Sequence, residues 1–153
     1  QESRINEDTE AIIKGHESHK QSEAELKKFF ADSQFIPQDR LTKDISAKAD
    51  LVIALGGDDH LQYVSHFVDD TLIMGMNSDP VLSEGKLNYF TTENLGGVIR
   101  RLRQDDFIVE HWTRLEARLN GSKVPLAAGH YYIGSGDEES MTSYILRYRC
   151  RYR

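Results

Sequence analysis

The sequence has one cysteine, no long apolar run and no excess of positive charge. With Cys150 alone, no internal disulfide can form, and a reducing compartment is the expectation. The longest apolar run, residues 51–55, has strand length and falls far short of the ~20 residues that cross a bilayer. A formal net charge of −6 argues against general nucleic-acid binding. No signal-peptide pattern follows Gln1. There is no internal repeat and no low-complexity stretch. A strand-like alternation runs up to Arg153, so we expect part of a longer polypeptide.

What is present suffices for a core. The 153 residues are 39% hydrophobic, enough for one domain or for one domain with part of another. Residues 1–21 are polar and read as a solvated segment or loose helix, with His16 and His19 as exposed histidines. Although they share one helical face, no carboxylate or cysteine completes a metal site. Ser22-x-x-Glu25 has the form of a capping box. Leu26, Phe29 and Phe30 follow at helical spacing, which predicts a helix over 22–33. A connection follows over 34–49, with Ile45 as its anchor into the core.

Residues 50–55 read as a strand, continuously apolar after Asp50, as expected for a parallel strand covered on both faces. Gly56-Gly57-Asp58-Asp59 turns the chain into a helix from about 60, with Leu61, Val64, Phe67 and Val68 at helical spacing. A second strand spans 71–77 and ends at Asn77-Ser78-Asp79-Pro80. Leu87 to Phe90 form a short apolar segment. Thr92 caps a helix that turns Leu95, Val98, Ile99 and Leu102 inward, weakened by Gly96 and Gly97.

After Asp105-Asp106 the period changes to 2. Phe107, Val109, His111, Thr113, Leu115, Ala117 and Leu119 share one strand face, and Ile108, Trp112 and Arg114 lie on the other. Asn120-Gly121 suits a hairpin turn. Further strands are expected over 124–134 and 142–152. The fold class is therefore α/β, a Rossmann-like unit followed by an antiparallel β-rich unit that is incomplete.

Strand, glycine-rich turn and helix are half of a βαβ unit, and ligands bind at the carboxyl ends of such strands. Two glycines let a backbone approach a phosphate, and amides at a helix start favour anions. Asp58 cannot itself bind phosphate. It could orient a hydroxyl, accept its proton or hold a metal ion. The plain alternative is a tight turn with Asp58 capping the helix.

The order Gly56-Gly57-Asp58, then Gly75-Met76-Asn77-Ser78-Asp79-Pro80, then Ser83-Glu84-Gly85 resembles the NAD kinases, most of all their mitochondrial-type branch. The match is specific from Leu51 to Gly85 and looser as far as Tyr132-Ile133-Gly134-Ser135. The resemblance implies phosphoryl transfer from ATP, with Mg2+, to the adenosine 2′-hydroxyl of NAD. It implies an α/β nucleotide-kinase domain over 1–104 and the start of an all-β NAD-binding domain over 105–153. Asp58 is the implied catalytic base. Gly56, Gly57, Asp59, His60, Leu61, Asn77, Ser78 and Tyr89 are the implied nucleotide-binding positions, and no metal ligand is assigned. The implied partners are small nucleotides and a second copy in a homodimer, with no nucleic acid or membrane. The implied location is mitochondrial or cytoplasmic.

Three departures accompany the resemblance. The family's glycine and threonine after the aspartate are here Asp59 and His60, where an added carboxylate repels phosphate unless a metal intervenes. Drift from catalytic demand is our reading of this pair. The family's Asn-Glu pair falls on Gly129 and His130, neither of which replaces it. The later glycine- and threonine-rich segment is absent, so an incomplete enzyme is expected. Alternatives on the same fold are an inactive nucleotide-binding or assembly module and a lipid kinase.

Three other features are read without a functional role. The alternation of Arg147, Arg149, Arg151 and Arg153 with Tyr148, Cys150 and Tyr152 is read as a strand with one solvated side. Cys150 is read as core. The clusters Asp69-Asp70, Asp105-Asp106 and Asp137-Glu138-Glu139 are read as solvated surface, and Trp112 as packing.

Overall fold

The computed structural model describes residues 2–131. The expectations for Tyr132-Ile133-Gly134-Ser135, Asp137-Glu138-Glu139, the alternating arginines and Cys150 lie outside the described residues. So does the strand expected over 142–152. The chain is α/β. Helix α1 (Glu2–Phe29) and the short α2 (Lys43–Ser46) precede strand β1 (Leu51–Gly56). Helix α3 (Asp58–Ser65), strand β2 (Leu72–Asn77) and helix α4 (Leu95–Arg103) follow. The hairpin β3 (Arg118–Leu119) and β4 (Ser122–Lys123) comes last. No described helix is long and apolar enough to cross a membrane.

Strands β1 and β2 pair in parallel, with Ile53 opposite Met74, Ala54 opposite Gly75 and Leu55 opposite Met76. Both faces are covered, which explains the unbroken apolar run of β1. On one face Leu51, Ile53, Leu55, Met74 and Met76 pack against Leu26 of α1 and Leu95 and Ile99 of α4. On the other, Val52, Ala54 and Ile73 pack against Leu61 and Val64 of α3, with Val68 beyond it. The period of two thus sorts one strand between two cores. Met76 and Leu95 are fully buried, and burying such a side chain contributes about 1.5–3 kcal/mol.

The first helix differs from expectation. It does not start at Ser22 but runs without a break from Glu2. Ser22 caps nothing. Its hydroxyl and that of Ser18 donate to the carbonyl of Ser78, at 3.1 and 2.9 Å. The capping-box pattern is therefore a docking face. Gly15 extends that face: a Cβ there would lie 3.1 Å from the Asp79 carboxylate. His16 is exposed, but His19 is half-buried. Ile45 is also half-buried, whereas Leu41 packs on the second core.

Helix α4 turns Leu95, Val98, Ile99 and Leu102 to the core, as expected. Its lead-in is a 3-10 turn over Thr92–Asn94. Thr91 rather than Thr92 begins it, its amide donating to Asn94 Oδ1 at 3.1 Å.

The long alternating strand from 107 does not form. Only the ladder beside the turn is present, with one further bridge between Leu115 and Ala127. The turn itself is as expected, with positive φ at Asn120 (51°) and Gly121 (86°). Ile108 is 90% exposed, and Phe107, Val109, Trp112 and Leu119 are also exposed. An alternating pattern gains nothing from strand geometry without a sheet to bury one face, and among the described residues none but that short ladder stands beside this segment. Arg114 fastens this segment instead. Its Nη1 donates to the carbonyls of Ser65 (3.1 Å) and Val68 (2.6 Å), and its Nη2 to that of Asp69 (3.1 Å). A guanidinium there meets the negative end of α3 and the carbonyls of the turn that follows it.

Candidate functional site

The turn lies where β1 ends and α3 begins. Gly57 is the N-cap residue, so α3 begins two residues earlier than its apolar pattern suggests. Asp58 and Asp59 occupy the first turn, where the helix dipole favours negative charge. Asp58 is not the helix cap. Its Oδ1 accepts the backbone amides of Leu87 (2.9 Å) and Asn88 (3.2 Å) from the segment after β2. Its Oδ2 has no hydrogen-bond partner among the described residues. Asp59 is exposed.

The segment that reaches Asp58 is itself tied down. Asn77, buried at the end of β2, donates Nδ2 to the carbonyl of Ser83 (2.9 Å), and its Oδ1 accepts the amide of Asp79 (2.9 Å). Ser78 is buried, and its carbonyl takes the two serines of α1. Gly85 has φ +61°, and a Cβ there would lie 2.4 Å from Asn77 Nδ2. Only glycine suits that backbone. Asn88 then returns the chain to the sheet. Its Nδ2 donates to the carbonyl of Gly56 at 2.8 Å.

The two turn glycines have different surroundings. A Cβ on Gly57 would meet only Ser83 Oγ, at 3.8 Å. A Cβ on Gly56 would lie 2.8 Å from His60 Cβ and 2.9 Å from its ring. His60 therefore covers Gly56, and its Nδ1 lies 3.0 Å from Gln38 Oε1. Burial holds the His60 imidazole below its usual pKa, and the charge of His19 adds to this.

Leu61 points into the second core, opposite Gly75. Tyr89 is 73% exposed. Gly129 backs onto α3: a Cβ on it would lie 2.1 Å from Gln62 Oε1, so the Gln62 amide fills that space. His130 is exposed.

The structure therefore gathers Gly56, Gly57, Asp58, His60, Asn77 and Ser78 around one end of the sheet. It leaves Tyr89 outward and Leu61 inward. Sequence reasoning missed Asn88, Gln62 and Ser18, and took Ser22 for a helix cap. The one available signal for Asn88 was an amide within the short apolar segment 87–90. Among the described residues, no three His, Cys, Asp or Glu side chains converge to hold a metal ion. Two clefts lie elsewhere, one between Phe29 and α4 and one lined by Lys43, Asp69 and Thr71. The arrangement offers one carboxylate with one oxygen fixed and the other unpartnered, beside amides at a helix start. Such a group can take a proton from a bound hydroxyl.

Comparison with known proteins gives one informative similarity. Over 79 residues, 52% of this chain, the sequence is 34% identical to an NAD kinase of Chloroherpeton thalassium (strain ATCC 35110 / GB-78). The chain covers 27% of that protein, about a quarter of its length. No protein-family model matches the sequence. No solved structure matches it either.

Proposed function

We propose that this chain carries the proton-accepting aspartate of an NAD kinase-type phosphotransferase. The observation that carries the reading is Asp58, with Oδ1 held by two amides and Oδ2 left unpartnered at the carboxyl end of β1. The similarity to a curated NAD kinase supports the substrate class. In this reading Asp58 Oδ2 accepts the proton of the adenosine 2′-hydroxyl of NAD. The ribose 2′-oxygen forms a bond to the γ-phosphorus of ATP, the bond to the β–γ bridging oxygen breaks, and ADP leaves with NADP formed.

The amides at the start of α3 and the open backbone at Gly57 suit phosphate oxygens. Magnesium commonly binds through one or two carboxylates together with substrate phosphates. The exposed Asp59 fits that mode and leaves Asp58 Oδ2 for the proton, and no protein cage is required. Once bound, the ion would neutralise phosphate charge.

The test uses the full-length protein. Titration with NAD and with ATP·Mg2+ by calorimetry, followed by an NADP assay, should show binding and turnover. Asp58→Asn should keep the fold and lower kcat by about 100-fold or more. Turnover that survives this change would remove Asp58 from the mechanism.

One observation favours a second reading. The His60 ring covers Gly56, and the exposed Asp59 adds negative charge beside the phosphate path. An inactive nucleotide-binding module would bind NAD without forming NADP.

A further inference from the structure

Asn88 belongs to no motif, yet it is one of the most buried polar residues described, with 2% of its surface exposed. Its Nδ2 donates to the Gly56 carbonyl, the last residue of β1. Its Oδ1 has no hydrogen-bond partner among the described residues. That oxygen lies 1.9 Å from where a Cβ on Gly75 would stand. It therefore rests within roughly 3.4 Å of the Gly75 α-carbon, the range of a weak Cα–H···O contact.

The amide side chain thus touches both strands, at Gly56 of β1 and at Gly75 of β2, whose register partner Ala54 stands two residues before Gly56. Its own backbone N–H is one of the two that hold Asp58. The cavity it fills exists because residue 75 has no side chain. A chain folded only for packing would place an apolar group there, because a buried polar atom without a partner costs free energy.

We propose that Asn88 is a positioning residue for Asp58. Anchored to both strands, it fixes the 87–88 backbone, whose two amides hold one carboxylate oxygen and so turn the other towards the substrate hydroxyl. Its catalytic consequence rests on Asp58 being the proton acceptor proposed above. Its structural content does not.

The test pairs two variants of the full-length protein with two readouts. Asn88→Ala removes the bridge. Asn88→Asp keeps the volume but sets an oxygen against the Gly56 carbonyl. In both, amide exchange protection at Leu87 and Asn88 should fall about tenfold or more relative to the β1 amides. Steady-state kcat per folded molecule should fall by about tenfold or more, while KM for NAD and for ATP stays within about twofold. With Asn88→Asp, protection should return at acid pH, where the introduced carboxyl regains a proton to donate.

Unchanged protection at 87 and 88 in folded variants would overturn the proposal, as would a change in KM alone. If the unsubstituted protein makes no NADP, the kinase reading fails, and the exchange readout still decides the role of Asn88. Should Asn88→Ala not fold, Asn88→Asp at acid pH decides the same question.

Discussion

Replacing Gly75 with alanine probes the packing that holds the turn together. In an open strand the change is favourable by about 0.5–1 kcal/mol, because glycine loses more backbone freedom on folding. Here the added methyl would stand 1.9 Å from Asn88 Oδ1 and 2.8 Å from Leu61 Cδ2. Asn88 must leave its place, and the Gly56 carbonyl loses its donor. An unsatisfied buried acceptor costs about 1–3 kcal/mol. Crowding against Leu61 costs about 1–3 kcal/mol more. The net expectation is a loss of about 1–5 kcal/mol, a large share of the ~5–15 kcal/mol that stabilises a domain.

Urea unfolding followed by circular dichroism measures the difference. Gly96→Ala and Gly97→Ala are the controls. Nothing lies within 4 Å of a Cβ at either, and both are in α4. Each should raise stability by about 0.5–1 kcal/mol. The reasoning fails if Gly75→Ala lies within about 0.5 kcal/mol of the parent, or shares the sign of the controls.

Arg114→Ala should cost about 1.5–3 kcal/mol, the range for charged hydrogen bonds, because the carbonyls of Ser65, Val68 and Asp69 lose their charged donor. It should also speed proteolysis within 105–117, and unchanged cleavage would count against the anchor. His60 is held below its ordinary pKa of 6.5 by burial, so the unfolded chain takes up the proton first as pH falls. Stability should therefore be complete above about pH 6.5 and decline below it, and His60→Gln should lessen the decline in Tm between pH 7 and 5. Residues 107–119 expose several large apolar side chains, and we expect the isolated chain to self-associate. A monomer by light scattering at high concentration would refute that.

The parallel sheet was legible because its signal is local. Runs 51–55 and 72–76 are apolar, short and bounded by turn residues, so they fit only strands covered on both faces. The hairpin at Asn120-Gly121 was legible because positive φ at two successive residues singles out few dipeptides. The capping-box pattern at Ser22 misled because a serine within a helix can donate to another segment. The identity of that segment is a tertiary fact. The long alternation after 107 misled for the opposite reason, since a strand needs a neighbour and alternation does not supply one.

At the site, the sequence by itself determined that Asp58 would follow a buried strand and two glycines, in the turn that leads into a helix. Nearest-neighbour rules suffice for that. Which oxygen of Asp58 is held, and by what, was decided only when residues 29 and 30 positions further along the chain returned to it. The same holds for Asn88 between Gly56 and Gly75, and for His60 over Gly56. Hydrogen bonds and close contacts between distant segments follow from how two cores place the strands. No local pattern encodes that placement.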